Sequence, residues 1–273
     1  MEAITILLST LMALISPVNG VSERLIQNAV RSQFAAVEQL QVRVDNAPNY
    51  QLVQGRVDRL RIAARGLFPI ADVRLEALEL ETDPINLNVR RLQRGKFQVQ
   101  QPLRAGMRLV IREADINRAL QSPDIQKRIQ KLSAAALRDR SGGKERRYEL
   151  LNPQVEFLDD QRLRIQVDLR QVGEPDILQV LIETGLEVIA GRQFQLLNPL
   201  IRLDGEPVPK EVLTSISNGF TEQSDLRQFE SMGLTARVLQ LRLDGNHIDA
   251  AAFVQFAPKN PQSSKQIEES VQN

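Results

Sequence analysis

Residues 239–256 read LQLRLDGNHIDAAAFVQF, and this stretch decides the fold class. Leu239, Leu241 and Leu243 alternate with Gln240 and Arg242, and beyond Gly245-Asn246 the alternation resumes at Ile248, Ala250, Ala252, Val254 and Phe256. Successive side chains of a strand point to opposite faces, so each run carries one apolar and one polar face. Gly-Asn between two such runs supplies the backbone freedom of a tight turn. The prediction is a hairpin of antiparallel sheet, apolar on one side and wet on the other. His247, next to that turn, reads as an exposed loop imidazole.

The same period of two recurs outward from there. It is present in Leu40/Val42/Val44, Leu60/Ile62/Ala64, Val73/Leu75 then Leu78/Leu80, Met107/Leu109/Ile111, Leu163/Ile165/Val167/Leu169 and Leu178/Val180/Ile182. Between Leu75 and Leu78 the phase slips by one residue, which predicts a bulge and a bent strand. Leu150-Leu151-Asn152-Pro153, followed by Val155 and Phe157, is echoed by Leu196-Leu197-Asn198-Pro199, followed by Ile201 and Leu203. Proline is confined to strand edges, bends and starts, so each copy predicts a strand-bend-strand unit. Helical spacing is rarer. One amphipathic helix is predicted over residues 22–38, with Leu25, Ile26, Ala29, Val30, Phe34 and Val37 on one face and Ser22 as its cap. Others are predicted at Glu113–Gln121, Asp124–Leu137 and Pro209–Phe220, with a helical turn at Asp225–Met232 ended by Gly233. The class is α+β, dominated by antiparallel sheet.

Composition narrows the chemistry. The 273 residues contain no Cys, no Trp and one His, which removes thiol nucleophiles, Cys-based metal sites and any triad that needs a second imidazole. No Gly-x-Ser-x-Gly elbow is present. The reading is a non-enzymatic protein without cofactor or metal. Thirty-five basic residues against 34 acidic ones leave no global field that would steer the chain to nucleic acid, and the few aromatics do not interleave with the basic runs. Asp159-Asp160 falls where a hairpin turn belongs, and Glu79 and Glu81 fall on the wet face of a strand; neither pair reads as a site.

Residues 3–16, AITILLSTLMALIS, form an almost uncharged run closed by Pro17 and Gly20. This length suits a signal-peptide core, a membrane anchor or a buried helix better than a span, which takes roughly 20 apolar residues. The organisation predicted is an apolar segment at 1–20, a domain at 21–257 with two sub-modules meeting near 138–148, and a disordered tail at 258–273. Membrane association is expected from the first segment, with side and compartment open, periplasmic or exported if residues 1–20 act as a signal or anchor.

An apolar sheet face must be covered, and the helices are short for so many strands. The sheet either closes over a filled core or stays open for an apolar ligand, and the pattern admits both. Spacing nominates Leu25, Ile26, Ala29, Val30, Phe34, Ile62, Leu80, Leu109, Ile111, Ile165 and Val167 as the lining of an apolar groove. An acyl chain buried there gains roughly 0.8 kcal/mol per CH₂. Basic clusters at Arg90, Arg91 and Arg94, and at Arg146 and Arg147, are either headgroup-docking loops or plainly solvated ones.

VRVDNAPNYQLVQGRVDRLRIAARGL at 42–67, LELETDPI at 78–85 and EADINRAL at 113–120 resemble the LmeA-like phospholipid-binding family over most of residues 20–257. LLNPQVEFLD at 150–159 is similar to its cyanobacterial branch. The resemblance implies a long curved antiparallel sheet wrapped against an N-terminal helix, as in the tubular lipid-binding (TULIP-like) proteins. It implies phospholipid as ligand, the membrane surface as partner and no catalysis. It also marks Gly55 and Gly66 as backbone positions around the strand Arg56 to Arg65.

Overall fold

The computed structural model describes residues 31–32, 34–46, 56–86, 101–138 and 148–257. In chain order the strands are β1 (Ala36–Asp45), β2 (Arg56–Val57), β3 (Arg59–Ile70), β4 (Val73–Thr82), β5 (Ile85–Asn86) and β6 (Leu103–Arg112). Helices α1 (Glu113–Leu120) and α2 (Pro123–Arg138) lead into β7 (Tyr148–Leu158), β8 (Arg162–Gln171), β9 (Ile177–Ile189), β10 (Gln193–Leu203) and β11 (Glu206–Pro207). Helix α3 (Lys210–Gln223) and a 3₁₀ turn (Leu226–Met232) precede β12 (Leu234–Asp244) and β13 (His247–Phe256). The larger sheet has the order β1-β3-β4-β6-β13-β12 and the smaller one β11-β10-β9-β8-β7, with β2 and β5 as a separate pair. Every pairing is antiparallel. The chain builds four strands of the larger sheet, completes the smaller one and returns for its last two strands.

The hairpin read from residues 239–256 is β12–β13, with Leu243 opposite Ile248 and Leu241 opposite Ala250. Leu239 departs from the reading. The register shifts between Val238 and Gln240, which leaves Leu239 as the extra residue of a bulge, 71% exposed. His247 opens β13 rather than sitting in the loop, half exposed, with its Nδ1 2.8 Å from Asn246 Oδ1.

Leu75 and Leu78 are both buried, as the slipped phase implies, yet no bulge separates them. Leu67↔Leu75 and Arg65↔Ala77 keep one register, and the shift falls nearer the turn, between Leu67 and Ile70. The change of phase runs across three strands at once, from Val37/Leu40 through Leu67/Ala64 to Leu75/Leu78, all buried. At its centre lies Gly66 with φ +56, where a Cβ would overlap the Glu38 carboxyl. A left-handed residue breaks the pleat for the whole row, and glycine adopts it without a steric penalty.

The helix predicted over 22–38 overruns. Arg31 is helical, but Phe34 and Ala35 form a bend and Val37 already pairs with Leu67 in β1. The Ala35 amide donates to the Phe68 carbonyl at 2.9 Å, so sheet pairing overrides helical spacing there. Leu25, Ile26, Ala29 and Val30 lie outside the described residues.

Each Leu-Leu-Asn-Pro echo is one strand with a register shift, between Leu151 and Gln154 in β7 and between Leu197 and Leu200 in β10. Asn152 (φ 50) and Asn198 (φ 46) occupy the left-handed region that asparagine tolerates, and each proline falls in the unpaired stretch where no ladder donor is required. Asp159-Asp160 is a hairpin turn as expected. The helical turn at Leu226–Met232 is capped by the Asp225 side chain, which accepts from the Arg227 amide at 2.9 Å, and is ended by Gly233 at φ 82.

β7 is an edge strand of the smaller sheet, and α1 covers that edge with side chains. Asn117 donates to the Val155 carbonyl at 2.7 Å and accepts from the Val155 amide at 2.8 Å. Glu113 accepts from the Phe157 amide at 2.6 Å, and Gln121 donates to the Pro153 carbonyl at 3.2 Å. A helix advances about 6 Å per four residues and a strand about 6.6 Å per two, so a polar side chain every fourth helical position meets every second strand residue.

Two apolar clusters result. The first lies on the larger sheet under β1, β3 and β4, with Leu60, Ala64, Leu67 and Leu78 nearly inaccessible. The second joins Phe157 and Leu163 of the smaller sheet to Leu243 of β12, with Ile116 of α1 packed against it.

Candidate functional site

The smaller sheet has two unlike faces. Across β8 and β9 the pairs Leu163↔Thr184, Ile165↔Ile182, Val167↔Val180 and Leu169↔Leu178 point one way. The intervening positions of β8 are Arg162, Arg164, Gln166, Asp168 and Arg170. The apolar face is closed at one end only. Phe157 and Leu163 are buried where Leu241, Leu243 and Ile248 meet them, Thr184 opposite Leu163 is buried too, and half-buried Ile165 packs against that cluster, whereas Val167, Leu169, Leu178, Val180 and Ile182 stay half-buried outside it.

The flanks of this face are helical. Helix α3 packs against β10. Within β10, Ile201 is buried while Leu197 and Leu200 remain exposed, so α3 lies over the apolar face. Val212, Ile216 and Phe220 follow one another at every fourth position of α3, and Val212 and Phe220 are 43% and 36% exposed. Helices α1 and α2 pack against β7 on the other flank. Among the described residues the outcome is a trough floored by β8 and β9 and flanked by helices, buried at one end and half-buried at the other.

The sequence-nominated residues divide between the two sheets. Ile165 and Val167 lie in the trough floor. Phe34 and Ile62 are buried in the first cluster, and Leu80, Leu109 and Ile111 pack half-buried against it. One seam joins the halves, because Ile111 pairs with Ile248 and Ile248 with Leu243, linking the first cluster to the second. Arg90, Arg91, Arg94, Arg146, Arg147 and Gly55 fall outside the described residues. Spacing missed the α3 stripe and the β9 floor. Both had a signal, the i, i+4, i+8 apolar series of α3 and the alternation of Leu178, Val180 and Ile182, but neither states which sheet face stays uncovered.

Two concavities of the described surface take charged or polar side chains into their lining. One, of about 1040 Å³, lies over the larger sheet and takes its side-chain lining from Arg43, Arg61, Glu79, Glu81 and Arg108 among others. These charges are paired: Arg61 with Glu81 at 3.1 Å, Arg108 with Asp249 at 2.8 Å and with Glu79 at 3.5 Å. Glu79 and Glu81 thus occupy the wet face as expected. A second concavity, of about 810 Å³, lies between α1 and β7 and is lined by Asn117, Gln121, Gln154, Gln166 and Arg164 among others. Neither lining suits an acyl chain, which would leave buried polar groups without partners.

The densest charge network is structural. Arg74 donates to Glu38 at 3.0 Å, Glu76 at 2.7 Å and the buried Asp115 at 2.8 Å, and Arg118 reaches Asp115 at 2.8 Å. The hydrogen bond to Glu38 leads the effects that raise the Arg74 pKa above its ordinary value, and the same bond lowers that of Glu38. These contacts tie α1 to β1 and β4. Among the described residues no group of three or more His, Cys, Asp or Glu is placed to hold a metal ion, and no helix is long and apolar enough to cross a membrane.

The chain is a β-rich protein built of two antiparallel sheets with few helices. The family model of LmeA-like phospholipid-binding proteins matches residues 15–253, and the chain belongs to that family. Its role is accordingly phospholipid binding. No curated protein and no solved structure matches the chain.

Proposed function

We propose that the trough over β8 and β9 is where the acyl chains of a phospholipid lie, and that the protein moves or maintains membrane lipid without catalysis. The observation that carries this reading is the half-burial of Val167, Leu169, Leu178 and Val180, four apolar side chains in two facing pairs. Full burial of such a side chain is worth roughly 1.5–3 kcal/mol, and the part that half-burial forgoes is what a bound acyl chain recovers. The seam Leu243–Ile248–Ile111 extends the apolar path toward Leu109 and Leu80 on the larger sheet. The filled-core alternative fits β1, β3 and β4, where Leu67 is fully inaccessible, so Ile62 serves as core there.

In this reading the amphipathic segment beginning at residue 22 packs its apolar stripe on the larger sheet, as in TULIP-like proteins. The apolar residues 3–16 keep the protein at a membrane, and Arg90, Arg91, Arg94, Arg146 and Arg147 face anionic headgroups. The test is mass spectrometry of lipid extracted from protein purified out of native membranes without detergent exchange. Phospholipid is expected at near-stoichiometric level. Homogeneous protein free of lipid, still folded by circular dichroism, would sink the reading.

A further inference from the structure

Helix α3 overlies the apolar face of the smaller sheet without being sealed onto it. None of its 14 residues is buried. Leu213, Ile216, Ser217 and Thr221 are half-buried while Thr214, Ser215 and Asn218 are exposed, so the first set turns toward the sheet. At about 100° of rotation per residue Phe220 falls in the middle of that inward arc, yet it is 36% exposed. On the sheet side, Phe194 and Leu196 of β10 are half-buried and stand opposite half-buried Val188 and Leu186 of β9. An inward-pointing aromatic ring that stays partly wet, above a floor that is partly wet too, marks space that the described residues leave unfilled.

The helix is held at its ends. Ahead of it the Val208 amide donates to the Ile201 carbonyl at 3.1 Å. Behind it the Ser224 hydroxyl donates to the Phe194 carbonyl at 3.0 Å and accepts from the Phe194 amide at 3.2 Å. In between, the hydroxyls turn back on the helix: Thr214, Ser217 and Thr221 donate to the carbonyls of Lys210, Leu213 and Ser217 at 2.9, 2.9 and 3.0 Å. Such bonds satisfy a hydroxyl without a partner on the sheet and slightly weaken the helix, as does Gly219 within it. Among the described residues no hydrogen bond or ion pair joins residues 210–222 to a strand. A polar occupant would find no free hydroxyl donor here, whereas a methylene chain needs none. We propose that α3 is a lid on the phospholipid site: it closes over an acyl chain, against which Ile216 and Phe220 complete their burial, and lifts between its two tied ends to admit or release it. The proposal rests on the trough reading, since the acyl chain is the one that reading lays over β8 and β9.

The test is hydrogen exchange read by mass spectrometry on the full-length protein, stripped of lipid on an apolar resin and then incubated with vesicles of phosphatidylcholine mixed with phosphatidylglycerol. Bound lipid is quantified in the same samples. Without lipid, α3 is expected to exchange about tenfold or more faster than β10, and bound lipid is expected to slow α3 about tenfold while β3, in the first cluster, is unchanged. Exchange of α3 as slow as that of β10 without lipid, or lipid retained with α3 unchanged, overturns the lid and leaves the trough standing. No retained lipid sinks both, so the two failures are told apart. Ile216→Ser with Phe220→Ser is expected to keep the urea midpoint, because neither side chain is buried, while retained phospholipid falls about tenfold or more. Unchanged lipid in that variant, or lipid loss matched by a falling midpoint, overturns the lid as well.

Discussion

Gly66 shows how much one backbone angle can carry. At φ +56, with the Glu38 carboxyl where a Cβ would stand, it lets three strands change phase together and leaves Glu38 free to meet Arg74. Gly66→Ala is expected to cost about 1–2 kcal/mol of backbone strain, read as a lower urea midpoint at unchanged slope. The resemblance pointed to this glycine, but its partner in the strain, 28 positions earlier, emerged only when β1 paired with β3. Glu38 and Asp225 both have lowered pKa values, held down first by hydrogen bonds from Arg74 and Arg227. The stability they add is complete above their ordinary pKa values, near 4, and is lost as pH falls through the lower folded values. Thermal midpoints are therefore expected to drop below about pH 4, and Asp225→Asn to flatten part of that drop.

Among the elements, the junction of α1 and β7 is the most informative. The sequence predicts a short helix at Glu113–Gln121; only the fold shows that Glu113, Asn117 and Gln121 complete the hydrogen bonding of an edge strand. Asn117→Ala removes two bonds to Val155 and is expected to destabilise by about 2 kcal/mol. It also bares a strand edge, so concentration-dependent self-association by analytical ultracentrifugation is expected to rise. Helix and strand positions were legible where the period ran unbroken, as in Lys210–Gln223 and Arg162–Gln171. They failed at 34–38, where Phe34 and Val37 fit a helical stripe as well as a strand, and pairing with β3 chose the strand.

At the scale of the molecule, a filled half and an open half make different demands on substitution. Leu67→Ala, in the filled half, is expected to lose roughly 3 kcal/mol of stability by denaturant titration while co-purified phospholipid is unchanged. Val167→Asp, in the trough floor, is expected to keep the fold by circular dichroism while bound phospholipid falls about tenfold or more, because a carboxylate would be buried against the chain. Equal lipid loss in both variants would mean that lipid follows stability rather than the trough. From the sequence alone came the antiparallel class, most strand and helix positions and the absence of thiol chemistry, because periodicity and composition are local properties of the chain. The tertiary structure alone decided that apolar faces with the same alternation have different fates, one buried around Leu67 and one half-buried at Val167 and Val180. Coverage depends on which elements arrive from elsewhere in the chain, α3 on β10 and α1 on β7, and no local pattern records that arrival.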